Sequence, residues 1–196
     1  MQVVNNKALL LNLKNPNRVT SILPNSKAVG NNQVVVKWGV EEALTLKSLN
    51  IDVPSPISGQ YDWPGTHKPF AHQKTTAEFL TKHRKAFCFN EQGTGKTASA
   101  IWASDFLLKK GVVNRVLVIC PLSIMDSAWR ADLFTFAMHR SVDVAHGAPA
   151  KRRKIINGDA EYVIINYDGV EIVADDIAAG GFDLIICITP FNKFIF

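Results

Sequence analysis

The sequence predicts an α/β protein in which a parallel β-sheet lies between two layers of helices, with a small α+β segment ahead of it. Three observations carry that expectation. From Ala86 onward, short apolar runs alternate with helical stretches, the order that builds parallel sheets through crossover helices. The runs are continuous rather than alternating, as strands covered on both faces require. One of them, Ala86–Phe89, passes straight into a loop holding Gly93 and Gly95 and then into Lys96, Thr97 and a helical pattern, which is the strand–loop–helix order of a phosphate-binding loop.

Taken in order, Val3–Leu13 and Val34–Trp38 read as strands and Glu41–Leu49 as a short helix, with turns at Asn5-Asn6, Asn15-Pro16-Asn17 and Gly30-Asn31-Asn32. The stretch from Ile51 to Gly65 contains Pro54, Pro56, Gly59 and Pro64, a linker composition. A boundary is placed there: residues 1–58 are an accessory segment too short for a robust core of its own, and residues 59–196 are the main domain. The strands of the main domain are Ala86–Phe89, Val116–Cys120, Val142–Ala145, Tyr162–Ile165 and Phe182–Ile188. Helices are expected at Lys96–Lys110, Ile124–Phe136, Pro149–Ile156 and Val170–Ala179. The first of these closes on Lys109 and Lys110 followed by Gly111, a basic last turn with a glycine stop. No internal repeat or low-complexity tract is visible.

With 196 residues, 47% of them hydrophobic, the chain can bury one ordinary core and a small second one. A formal net charge of +5 permits polyanion binding without demanding it. Cys88, Cys120 and Cys187 are far apart and sit in apolar runs, so they read as reduced core thiols rather than metal ligands or a disulfide framework. The first residues lack the basic-then-apolar layout of a signal peptide, and no apolar run is long enough to span a bilayer. The expectation is a soluble, cytoplasmic protein with no membrane partner.

The chemistry concentrates in Asn90-Glu91-Gln92-Gly93-Thr94-Gly95-Lys96-Thr97. Glycines let the backbone wrap closely enough for its N–H groups to face phosphate oxygens. The following helix start adds a positive dipole end, Lys96 a mobile charge and Thr97 a hydroxyl for magnesium. The strict pattern has glycine at the position of Asn90, so this loop is a variant. Upstream, Gln73 has an amide suited to an adenine edge, although a lone glutamine on a helix is more often a surface residue. Downstream, Val116–Cys120 runs into Pro121-Leu122-Ser123, where Ser123 is suited to cap the next helix and the helix start to hold a nucleic-acid phosphate. An ordinary strand–loop–helix joint with Trp129 in the core fits that spacing equally well. Asn166 and Tyr167 repeat the strand-end arrangement, and Lys151-Arg152-Arg153-Lys154 reads as a solvated helix face.

Together these residues resemble the first RecA-like lobe of superfamily II helicases, in the Swi/Snf branch of DNA translocases. The glutamine motif corresponds to Pro69–Gln73 and the phosphate loop to Asn90–Thr97, where that branch also lacks the leading glycine. Motif Ia corresponds to Cys120–Ser123 with Trp129, and motif Ib to Asn166–Asp168. The resemblance covers roughly residues 68–186 and extends to phage-encoded members, which would place the protein in a host cytoplasm. It implies a three-layer P-loop NTPase fold that binds ATP with Mg2+ and acts on DNA, double-stranded DNA in particular. It implies that Gln73 reads adenine, that the backbone of Glu91, Gln92, Gly93, Thr94 and Gly95 cradles phosphates, and that Lys96 contacts the β- and γ-phosphates. Thr97 would ligate magnesium, and Ser123, Asn166 and Tyr167 would lie near the DNA backbone.

The resemblance stops after Ile186. Where the family continues into an Asp-Glu pair that holds magnesium and activates water, this chain reads Cys187-Ile188-Thr189-Pro190, and no acidic residue follows Asp183. Asp183 stands at the start of its strand, several residues from the phosphate loop. A second RecA-like lobe, with the arginine finger that contributes about 10³-fold or more in such enzymes, is expected as a missing partner. The expectation is therefore an ATP-binding lobe deficient in hydrolysis, its ending a truncation or frameshift. A non-catalytic nucleotide- or DNA-binding regulatory module is the alternative. An apolar edge is expected around Phe182–Ile188, which the tail Phe191, Phe194, Ile195 and Phe196 would either cover or extend.

Overall fold

The structure, a computed structural model, describes residues 1–188 and 194–196. The chain forms two compact units, one of Met1–Tyr61 with Thr81–His83 and one of Asp62–Leu80 with Arg84–Phe196.

In the first unit, β1 (Gln2–Val4), β2 (Ala8–Asn12), β3 (Lys27–Ala28) and β4 (Gln33–Lys37) make an antiparallel sheet in the order β1-β2-β4-β3. The expected single strand Val3–Leu13 is a hairpin. Asn5 and Asn6 both take left-handed backbone (φ 51° and 52°), and Lys7 N–H returns to Val4 O at 3.0 Å. That is a two-residue turn whose twist matches the strands it joins. Leu9 and Leu11 of β2 and Val34 and Val36 of β4 alternate inward, onto Val19 of α1 (Asn17–Thr20) and Ala43 and Leu46 of α2 (Val40–Ser48). Trp38 and Val53 complete a buried apolar cluster, so this segment has the core that its length argued against. The proline-rich stretch is packed as well. Trp38 Nε1–H donates to Pro54 O at 2.8 Å, the Ser55 and Thr81 hydroxyls bond at 2.7 Å, and α3 (Ile57–Gln60) buries Ile57. A Cβ on Gly59 would lie 2.8 Å from the Trp38 ring.

The second unit holds a six-stranded sheet. Its strands are β5 (Phe87–Cys88), β6 (Val116–Cys120), β7 (Val142–Ala145), β8 (Tyr162–Asn166), β9 (Leu184–Ile188) and β10 (Phe194–Ile195), in the order β5-β10-β9-β6-β8-β7. The four neighbours β9, β6, β8 and β7 are parallel, as expected. β10 departs from the expectation: it runs antiparallel between β9 and β5, with Phe194 opposite Ile188 and Cys88, and Ile195 opposite Cys187 and Phe87. The backbones of Ala86 and Phe196 exchange two further bonds of 2.9 Å. The tail therefore covers the β9 edge; Phe191 lies outside the described residues.

Helix α4 (Ala71–Thr81) precedes β5, and α5 (Lys96–Lys109) follows it. Along α5, Ala98, Ala100, Ile101, Trp102, Ala103 and Phe106 are all buried, the profile of a helix surrounded by protein. Ser104 on α5 bonds the buried Tyr162 hydroxyl of β8 at 2.8 Å. The opposite sheet face, with Leu117, Val163 and Ile165, packs on Ile156 of α7 (Pro149–Ile156) and on Val173, which makes three layers. Two expected helices are divided. Ile124–Phe136 becomes a 3-10 turn over Leu122–Ile124, a π-helical stretch over Met125–Arg130 and α6 (Ala131–Phe136). Val170–Ala179 becomes α8 (Tyr167–Ile172) and α9 (Ala174–Ala179), broken at Val173, whose backbone leaves the helical region (φ −128°). Asp183 accepts bonds from Asn114 N–H at 2.7 Å and from its side-chain amide at 3.0 Å.

Candidate functional site

The loop between β5 and α5 is shaped by its glycines. Gly93 (φ +76°) has open space around the position of a Cβ, and Gly95 (φ +72°) would place one 2.0 Å from Gln73 Nε2. Both conformations favour glycine. Lys96 is buried, and its ammonium donates to Asn90 O at 2.9 Å and to Glu91 O at 2.6 Å. The loop's own carbonyls thus hold the charge that a phosphate would otherwise receive. Thr94 Oγ1–H donates to Glu91 O at 2.8 Å, tightening the same turn.

Helix α4 grips this loop at both ends. Gln73 Oε1 accepts from Phe70 N–H at 2.9 Å, the back-bond of a capping box at the start of α4, while Gln73 Nε2 donates to Thr94 O at 3.4 Å. His72 Nε2–H donates to the same carbonyl at 3.0 Å. Asn90 Nδ2 donates to Thr76 Oγ1 at 2.9 Å. Asn90, in the place of the usual glycine, therefore ties the start of the loop to α4. Sequence reasoning singled out Gln73 within the motif Pro69–Gln73 but gave no role to His72 in that motif or to Thr76 beyond it, because their contacts arise only when the helix is wound and its one face meets the loop.

A cavity of about 440 Å³ opens over the loop, lined by Gly93, Gly95, Lys96, half-buried Thr97, Trp129 and Ile188 among others. Among the described residues, none that lines it is acidic, and Ile188, the last residue of β9, is part of its wall. A second cavity of about 510 Å³ lies between α4 and the loop, against His72, Thr75, Thr76, Asn90, Glu91 and Thr94. Among the described residues, no group of three or more His, Cys, Asp or Glu is placed to hold a metal ion, and no helix is long and apolar enough to cross a membrane.

The other residues singled out from sequence gather at the carboxyl ends of neighbouring strands, since Cys120 of β6 and Asn166 of β8 are register partners. Ser123 is exposed in the 3-10 turn and makes no side-chain cap; instead its carbonyl accepts from Ser127 Oγ at 2.8 Å. Tyr167 opens α8 and is 37% exposed; burial, and then Cys187 beside it, push its phenol up to about 12. Asn166 is buried. Its Oδ1 accepts from Arg152 Nη1 at 2.8 Å, and its Nδ2 donates to Asp168 at 3.3 Å.

Arg152 corrects the reading of Lys151–Lys154 as a solvated face. Its guanidinium is buried and bonds Gly147 O at 2.9 Å and Ala145 O at 2.8 Å as well as Asn166. The side chain fastens the end of β7 to the end of β8. A Cβ on Gly169 would meet Arg152 Nη1 at 2.2 Å, so that glycine gives it room.

A match to the family of the type III restriction enzyme, res subunit, spans residues 66–187. Among solved structures, the SWI2/SNF2 ATPase core of Sulfolobus solfataricus in complex with dsDNA is similar at 26% sequence identity, over 54% of this chain and 23% of that one, with a TM-score of 0.48. No curated protein matches the chain.

Proposed function

This chain belongs to the family of the type III restriction enzyme, res subunit, among the superfamily II helicases, and from that premise we propose that its second unit is the ATP-binding lobe of a DNA-dependent ATPase of Swi/Snf type. The observation that carries the reading is the loop at Asn90–Thr97: two glycines in left-handed backbone, a buried lysine and a helix start converge on one cavity. That arrangement suits a polyphosphate. Thr97 offers one oxygen to a magnesium ion carried with the phosphates. Gln73, whose amide is held by Phe70 N–H and Thr94 O, would exchange those bonds for adenine. Ser123 and Tyr167, exposed at the strand ends, would face a DNA backbone, with Asn166 ordered beneath them.

The same geometry argues for a lobe that holds nucleotide without cutting it. Water activation in this setting calls for a carboxylate beside the phosphates, and Ile188 occupies the strand end that faces the loop. A regulatory module that binds nucleotide or DNA would share these features, and the lack of an acidic lining residue among the described ones favours it over a turnover enzyme.

Calorimetry with ATP and Mg2+ tests the reading. The chain is expected to bind ATP weakly, and Lys96→Ala to abolish the binding. Equal binding by that variant would remove the loop from the site. No DNA-stimulated phosphate release is expected; release clearly above background would show that an acidic group serves the site after all.

A further inference from the structure

The charge of this protein is not spread along the chain. Residues 1–40 contain Lys7, Lys14, Arg18, Lys27 and Lys37 and no Asp or Glu, and from Glu41 onward basic and acidic side chains are equal in number. The whole formal charge of +5 therefore belongs to the four-stranded sheet of the first unit and its connections. All five basic side chains are exposed. Lys37 faces Glu42 at 3.8 Å, and among the described residues no carboxylate pairs with the other four. The same 40 residues carry eight asparagines, every one exposed.

The fold places these groups together. Val34 and Val36 point into the core, so Gln33, Val35 and Lys37 of β4 point away from it. Lys27 of β3 is the register partner of Val35, which puts Lys27 and Lys37 on the same outward face. Asn12 is opposite Gln33 on that face. Lys14 lies two residues past the end of β2, and Arg18 is on α1, which packs beside β3. Lys14, Arg18 and Lys27 thus rim the β3 edge of the sheet, while Lys7 and Lys37 mark its hairpin end.

We infer that the outward face and β3 edge of this N-terminal sheet bind the phosphate backbone of nucleic acid, as a surface additional to the nucleotide unit. Unpaired, exposed cations release counterions when they meet phosphates. Asparagine amides donate to phosphate and sugar oxygens without reading sequence. Residues 1–40 supply no acidic side chain of their own and Glu42 stands beside Lys37, so repulsion of a polyanion is least toward the β3 edge. The exposed apolar side chains of this segment, Met1, Val4, Ile22 and Val29, stand singly among lysines and asparagines; the surface lacks the Trp, Phe and Leu face of a lipid-binding helix and suits a nucleic-acid backbone better. Binding here is independent of nucleotide and indifferent to base sequence.

The test is binding of a fluorescent 20-base-pair duplex to the full chain over a KCl series, without nucleotide. The triple substitution Lys14→Gln, Arg18→Gln, Lys27→Gln is expected to lower the slope of log affinity against log salt by about 2–3, since each duplex phosphate contact contributes about 0.9. The pair Lys7→Gln, Lys37→Gln is expected to lower it by about 2; it serves as the second variant should the triple lose its fold by circular dichroism. ATP binding stays unchanged in both. Unchanged affinity and slope in a folded variant overturn the inference. If Tyr167→Ala alone weakens DNA binding, the DNA lies on the strand ends of the nucleotide unit, and the proposed function stands without this surface. A wild-type chain that binds ATP but no DNA removes this surface and leaves the nucleotide reading intact. Vesicles of phosphatidylserine and phosphatidylcholine give the last arm: loss of vesicle binding with DNA binding retained would make the sheet a lipid surface and overturn the inference.

Discussion

Two buried cations, Lys96 and Arg152, show how differently residues of one charge announce themselves. Lys96 is legible because it closes a glycine loop, and its burial follows from that loop's carbonyls at 2.6 and 2.9 Å. Arg152 was invisible within Lys151–Lys154, because a run of charges on a helix reads as solvent-facing until one member is seen turned inward. Its three acceptors are the carbonyls of Ala145 and Gly147 and the amide oxygen of Asn166. Arg152→Met keeps much of the volume and strands those acceptors, at about 1–3 kcal/mol for a buried group left unpaired. The variant is expected to lose about 2–3 kcal/mol of stability, read as a lower urea midpoint at unchanged slope. Arg152→Lys, which keeps the charge without the planar fork, is expected to recover part of the loss. Wild-type stability in Arg152→Met would show that these bonds only replace equivalent bonds to water.

At the scale of elements, the runs that became strands were read closely, because a continuous apolar run between turn signals has few other fates. The breaks were not. Val3–Leu13 looked like one strand, yet its two central asparagines take left-handed backbone, a state asparagine tolerates and β-branched residues resist. Asn6→Val is therefore expected to cost about 1–2 kcal/mol, measured as earlier unfolding of the first unit, whereas Asn6→Gly is tolerated. An equal effect of the two substitutions would mean that the turn does not depend on its backbone hand. The π-helical stretch Met125–Arg130 had no sequence signal either. It sets both Met125 and Trp129 into the interior, four residues apart, a spacing that an ordinary helix also satisfies.

For the molecule as a whole, composition predicted reduced core thiols and a modest basic charge. Composition could not reveal that the charge excess lies within residues 1–40, or that several acids are kept protonated by burial. Burial, and Cys187 after it, push the Cys120 thiol up to about 12, from 9.0. Burial likewise raises the Tyr167 phenol to about 12 and the Tyr162 phenol further. Above pH 9 the folded protein then binds more protons than the unfolded chain, so this contribution is complete below pH 9 and is lost as the pH rises from about 9 to about 12. Urea midpoints are expected to fall steadily across that window, and Cys120→Ala to flatten its lower part. A level profile would mean that these groups ionise freely in the folded state.

The antiparallel strand β10 has a consequence in time. Among the described residues, β5 joins the sheet only through Phe194 and Ile195 and the flanking bonds of Phe196. A ribosome adding roughly 5–20 residues per second would release β5 and the phosphate loop roughly 5–20 s before it reaches β10. Through that interval the loop's parent strand has no neighbour, while the strands that follow it can already pair with one another. The strand that carries the phosphate loop is thus, among the described residues, the last of its sheet to gain a partner during synthesis.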